Sequence, residues 1–209
     1  MQVKTTERNF MERKTSSKTS VLVKTAVLSA IAYIIMMFEF PLPFAPAFLK
    51  LDFSDIPPLI ASFALGPWVG VAVELIKNVL KFITNTHTGG VGELGNFLVG
   101  ASFVLTAGYV YRLKKGKKFA VIACLCATVA MTLVAVVFNS FILIPFYSKV
   151  MPIEAIIAMG SAVTPKIQDV FTLVLYGITP FNLFKGIVIS GITMGIYKRI
   201  KPLLRADRN

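Results

Sequence analysis

Residues 119–146 read FAVIACLCATVAMTLVAVVFNSFILIPF, twenty-eight consecutive positions without an Asp, Glu, Lys or Arg. A spanning helix needs about 20 apolar residues to cross a hydrocarbon layer of ~30 Å. This stretch therefore reads as a transmembrane helix with length to spare for tilt. The whole composition agrees: of 209 residues, 56% are hydrophobic and 15% charged, with a mean hydropathy of +0.74. Soluble domains run near 45–50% apolar and ~25% charged. An ordinary cytosolic domain, a disordered chain and a usual nucleic-acid-binding module are excluded.

Working outward from that helix, the apolar segments predict an all-α polytopic membrane protein. Six crossings are expected: helix 1 at about 20–38, a short helix 2 that ends at Gly66-Pro67, helix 3 at 68–83, helix 4 at 96–113, helix 5 at 119–146 and helix 6 at 180–199. Ser54 or Asp55 is expected to cap helix 2, with Pro57 and Pro58 in its first turn. Thr179-Pro180 reads as the start of helix 6. Residues 84–95 (TNTHTGGVGELG) read as a flexible external loop, and 147–178 as short external helices packed on the bundle. Residues 40–53 carry three prolines in an apolar context and predict a stiff, non-helical loop folded over the bundle as a lid. The predicted organisation is a basic tail at 1–19, a six-helix membrane domain at 20–201 and a basic tail at 202–209.

The net charge of +12 is not a nucleic-acid signature. Sixteen of the 22 bases fall in three clusters: Lys4, Arg8, Arg13, Lys14, Lys18 and Lys24; Arg112, Lys114, Lys115, Lys117 and Lys118; and Lys198, Arg199, Lys201, Arg205 and Arg208. Under the positive-inside rule all three are cytoplasmic, which puts both termini inside and requires an even number of crossings. The first apolar segment is longer than a signal-peptide core and lacks an A-x-A-like cleavage site, so it reads as a retained helix. Cys124 and Cys126, two apart on a helix, point to different faces and indicate neither a disulfide nor a metal pair. With His87 the single histidine, a multi-His metal site is excluded, and no metal or cofactor is expected.

Polar side chains inside spans mark candidate sites, because a charge at a helix centre costs about 2.5–3.5 kcal/mol on insertion scales. Asn182 and Lys185, three apart, share a face of helix 6, with Lys185 ~7 Å from its start at 1.5 Å per residue. Asn139 lies ~12 Å from the outer end of helix 5. Amide and ammonium donors at comparable depth can orient a flat ligand with polar edges. They can equally act as interhelical glue, with Lys185 snorkelling to the outer surface. Glu74 and Lys77, with Asn78 beside them, read as a self-neutralising internal pair. Glu39 touches either ligand or lid, and His87 reads as solvated. Ala26 and Ala30, with Ser29, form a small-residue stripe on helix 1 that suits close helix approach, either within the bundle or to a partner.

Three motifs in order, PAFLKLDFSDIPPLIASFALGPWVGVAVELIKN (46–78), TGGVGELGNFLVG (88–100) and TPFNLFKG (179–186), resemble the riboflavin-binding substrate-capture subunits (S-components) of bacterial energy-coupling factor (ECF) transporters. The resemblance covers nearly the whole chain from about residue 20. It implies six helices around an external cavity, gated by the loop after helix 1. It also implies riboflavin held by Asn139, Asn182 and Lys185, with Leu49 and the loop Thr88, Gly89 and Gly90 contributing. Ala26 and Ala30 match the helix 1 motif that docks on the transmembrane coupling subunit. Partners implied are that subunit, a pair of ATP-hydrolysing subunits and the lipid bilayer, in a multi-pass cell-membrane protein. Another vitamin or a flavin analogue is the alternative ligand. The sequence has no G-x-x-x-x-G-K-[ST] phosphate loop, so energy must come from partners. An intramembrane enzyme is disfavoured: no Ser/His/Asp set is present, and Lys185 lacks an evident base.

Overall fold

A computed structural model describes the backbone of residues 2–114, 116–149 and 151–205, and the side chains of 18–114, 116–149, 151–197 and 199. The basic side chains expected to be cytoplasmic at 4–14, 115, 198 and 201–208 lie outside the described residues. So do most side chains of the tails expected at 1–19 and 202–209.

The chain is helical almost throughout. Helix α1 runs Gln2–Met36, continuing N-terminally past the expected start. The segment after it closes as a two-stranded antiparallel hairpin, β1 (Phe40–Pro41) against β2 (Lys50–Leu51), with Phe40 opposite Leu51. Ala45 and Leu51 on its buried side pack on Phe181, so this proline-rich loop folds over the bundle, as its apolar composition predicts. Helices α2 (Ile56–Ala64), α3 (Pro67–Asn85), α4 (Val91–Leu113) and α5 (Lys117–Phe138) follow. Gly66 joins α2 to α3 at φ 134°, a conformation open to glycine but strained for other residues. Helix α4 begins five residues earlier than expected, so the loop expected at 84–95 shrinks to the turn Thr86–Gly90.

After α5 comes a π-turn, Asn139–Leu143, then α6 (Ile144–Tyr147) and the separate α7 (Ile153–Ser161). A second continuous stretch consists of α8 (Val170–Leu173), a π-turn at Val174–Ile178 and α9 (Thr179–Arg205). The expected helix start at Thr179-Pro180 is therefore corrected to Val170. There Asp169 Oδ1 accepts the Thr172 N–H at 2.7 Å while the Thr172 hydroxyl accepts the Asp169 N–H at 3.0 Å, a full capping box. The reason for the misreading is physical. A proline inside a helix lacks a donor and collides with the carbonyl four residues back. Here each proline directly follows a residue whose N–H reaches five back: Ile144 to Asn139 O before Pro145, and Thr179 to Val174 O before Pro180. The widened turn accommodates the ring, so the helix passes through.

Four stretches of the described residues are long and apolar enough to cross a bilayer: Lys18–Met36, Val91–Leu113, Lys117–Tyr147 and Val170–Tyr197. Helix α3 has the length but carries Glu74, Lys77 and Lys81, all buried. Helix α2, at nine residues, measures roughly 14 Å, and every one of its residues is buried. It is a core helix enclosed by α1, α3, α4 and α9. The main core joins Leu59, Ile60, Phe63, Phe103, Met131 and Ile189; a second cluster under α7 joins Ile144, Ile156, Ile167 and Leu173. Cys124 is buried and Cys126 exposed, on different faces as the spacing requires.

Candidate functional site

A cavity of about 220 Å³ opens between the hairpin, the Thr86–Gly90 turn and the ends of α1, α3, α4, α5 and α9. Apolar walls come from Met36, Phe48, Leu49, Val99, Phe138 and Phe181. Asn139, Asn182 and Lys185 all line it, so α5 and α9 deliver these three polar groups to one chamber rather than to lipid. All three are buried, at 7%, 5% and 5% exposure. Each amide is held the same way: Asn139 Nδ2 donates to Ala135 O at 2.7 Å, and Asn182 Nδ2 donates to Ile178 O at 2.8 Å. That fixes the side chain along its own helix and leaves the Asn139 Oδ1 buried without a partner, an acceptor available to a ligand.

Of the other residues singled out from the sequence, Glu39, Leu49 and Thr88 line the cavity. Gly89 and Gly90, at φ 61° and 93°, shape the turn that brings Thr88 there and are not among the lining residues. Thr88 donates to Glu93 at 2.6 Å. His87, expected to be merely solvated, is exposed but sits at the rim. Sequence reasoning missed Asp52, Lys81 and Asn96 as lining residues. Asn96 was expected to be the first residue of helix 4, whereas the helix starts at Val91 and carries Asn96 more than a turn inside it.

The electrostatics differ most from expectation. Lys185 does not snorkel. Its Nζ lies 3.3 Å from Asp52 Oδ2 and 3.0 Å from Asp55 Oδ2. Nor are Glu74 and Lys77 a self-contained pair. Lys77, without exposed surface, donates to Asp55, to Glu74 Oε1 at 3.1 Å and to Ser54 Oγ at 2.9 Å. Lys185, expected to lack an evident base, thus has two carboxylates beside it. Three carboxylates and two ammoniums form one buried network running from the cavity to the centre of the bundle. Isolated, each charge would be too costly to bury; paired, two of the three negative charges are balanced and one is formally in excess. At the rim, Glu39 accepts from Lys50 at 2.9 Å and from Lys81, tying the hairpin to α1 and α3. Partial burial raises the Glu39 pKa, but the two lysines outweigh it and hold the carboxyl below its ordinary value. Among the described residues, no group of three or more His, Cys, Asp or Glu side chains is arranged to hold a metal ion.

On the opposite side of α1, Ala26 and Ala30 are exposed with Leu22, while Thr25, Ser29 and Ala32 are buried. The stripe faces out of the bundle.

A model of the ECF transporter substrate-specific component family matches residues 20–197. The chain belongs to this family. A solved structure described as the S component of a bacterial ECF transporter superposes with a TM-score of 0.72 at 37% identity, covering 90% of this chain and 98% of that one. The riboflavin transporter RibU of Staphylococcus aureus is 38% identical over 88% of this chain and 92% of its own length. The riboflavin transporter FmnP of Bacillus subtilis is 36% identical over 92% and 97%. This S-component is thus a membrane protein of a transport system, not an enzyme, and the cavity under its hairpin is the candidate substrate site.

Proposed function

We propose that this S-component captures riboflavin from outside the cell and delivers it to the cytoplasm in complex with a transmembrane coupling subunit and a pair of ATP-hydrolysing subunits. The observation that carries the reading is the convergence of Asn139, Asn182 and Lys185 on one apolar-walled cavity beneath a hairpin, in a chain whose relatives include riboflavin transporters. Isoalloxazine has two broad apolar faces and a hydrogen-bonding edge. Phe48, Leu49, Phe138 and Phe181 suit the faces; the unpartnered Asn139 Oδ1, the Asn182 amide and the Lys185 ammonium suit the polar groups. Thr88 and Glu39 stand at the rim, where hydroxyls of a ribityl chain find partners, and Gly89 and Gly90 set the turn that carries Thr88.

The topology that serves this function has six helical segments across the membrane, α2 being enclosed by its neighbours, with both termini cytoplasmic. The three basic clusters support that orientation. Ala26 and Ala30 are the docking stripe for the coupling subunit; their outward face on α1 supports it. The test is a titration of riboflavin with the detergent-purified protein. Flavin fluorescence quenches to a stoichiometry of one per chain, whereas unquenched fluorescence at micromolar protein rejects riboflavin as the ligand.

A further inference from the structure

The segment Asp55-Ile56-Pro57-Pro58 opens α2 in an unusual way. An aspartate at the N-cap position normally accepts the backbone N–H of the second or third helical residue. Here those residues are Pro57 and Pro58, which have no N–H. Asp55 accordingly makes no side-chain cap. Its carboxylate, 2% exposed, is left free of its own helix and turns both oxygens to ammoniums: Oδ1 accepts from Lys77, and Oδ2 lies 3.0 Å from Lys185.

Asp55 does not line the cavity; Lys185 does. An ammonium has three protons. Two are directed at Asp55 and Asp52, which leaves one for the cavity. We propose that Asp55 is a positioning residue for the ligand: from behind the cavity wall it fixes the Lys185 ammonium so that its remaining proton faces the bound molecule. The double proline is the device that makes this carboxylate available. The inference rests on the riboflavin reading above.

The test is a double-mutant cycle on the full-length chain, read as riboflavin affinity by fluorescence quenching. Lys185→Met weakens binding by about ten- to hundredfold, the range of a hydrogen bond from a charged group. Asp55→Asn weakens it at least about fivefold. Because Asp55 acts through Lys185, the double variant D55N/K185M binds within about twofold of K185M alone. Asp55→Glu, which keeps a carboxylate, binds more tightly than D55N. A D55N affinity within about twofold of wild type, a double variant weakened by the product of the two single effects, or D55E no tighter than D55N overturns the proposal. Wild-type protein that does not bind riboflavin at all rejects the functional reading instead.

D55N also takes a partner from Lys77, so the same substitution is made in an E74Q/K77M background, where of its two ammonium partners Asp55 keeps Lys185. There D55N still weakens binding at least about fivefold relative to its own background; an unchanged affinity in that background overturns the proposal even if D55N by itself does not fold.

Discussion

Replacing Lys77 by methionine probes the buried charge network directly. Methionine keeps most of the apolar stem and removes the ammonium. Asp55 keeps Lys185 at 3.0 Å, but Glu74 keeps only a long contact from Asn78 Nδ2 at 3.4 Å. The Glu74 carboxylate has no room to turn toward water: it is unexposed, and its Oε2 sits 2.6 Å from where a Cβ on Gly100 would stand. Removing one member of a buried pair costs about 3–5 kcal/mol, because the other is left charged and unpartnered. For a chain of this size each kcal/mol moves the midpoint by about 2–4 °C. Lys77→Met therefore lowers the melting temperature of the detergent-purified, ligand-free protein by about 6–20 °C, followed by loss of helical circular dichroism. Adding Glu74→Gln removes the orphaned charge and recovers at least about half of that drop. A K77M midpoint within about 2 °C of wild type, or a double variant less stable than K77M, refutes the reasoning that these charges stand or fall as pairs.

Three further outcomes are expected. Ala26→Trp or Ala30→Trp leaves riboflavin affinity within about twofold while abolishing uptake in cells that express the complete transporter; loss of affinity in the purified variant would place the stripe in the internal core instead. Asn139→Leu and Asn182→Leu each weaken riboflavin by about two- to tenfold, the span of a neutral hydrogen bond of about 0.5–1.5 kcal/mol, measured by the same quenching titration. The link between hairpin and α3 through Glu39 depends on pH in a definite direction. Its folded-state carboxyl lies below the ordinary value of 4.5, so its stabilisation is full above that value and is lost as pH falls through the lowered one. Protease cleavage in the segment 40–53 accelerates on acidification below about pH 4.5 in wild type, and Glu39→Gln is cleaved faster at pH 7 with a shallower pH dependence.

How much of this was legible in the sequence depends on the distance over which each feature is decided. The 119–146 run and the lid prolines are local signals, and both elements form where they were read. Asn139, Asn182 and Lys185 were found because polar groups in apolar helices are conspicuous, and the fold brings all three to one cavity. The start of the last long helix was misread because Thr179-Pro180 is a good local start signal; a π-turn overrides it, and nothing in the residues before Pro180 marks that turn. Lys185 sits fifteen residues, or ~22 Å of helix, past the true start, so the expected ~7 Å from the helix start is too short. The charge network was not legible at all in its connectivity. Asp52 and Lys185 are 133 positions apart, and only the folding of the hairpin base against α9 joins them. Residue type makes Ser54 or Asp55 the expected cap of α2, yet Asp55 takes the N-cap position without a side-chain bond, because Pro57 and Pro58 lack the donors it would need; that signal is in the sequence and reads as helix initiation alone.

The most direct measurement is the structure of the protein with riboflavin bound. The expected result places the isoalloxazine in the cavity beneath the hairpin, its polar edge within hydrogen-bond distance of at least two of Asn139, Asn182 and Lys185. Riboflavin bound elsewhere on the protein, or in the cavity with all three of these side chains more than about 4 Å away, would contradict the account.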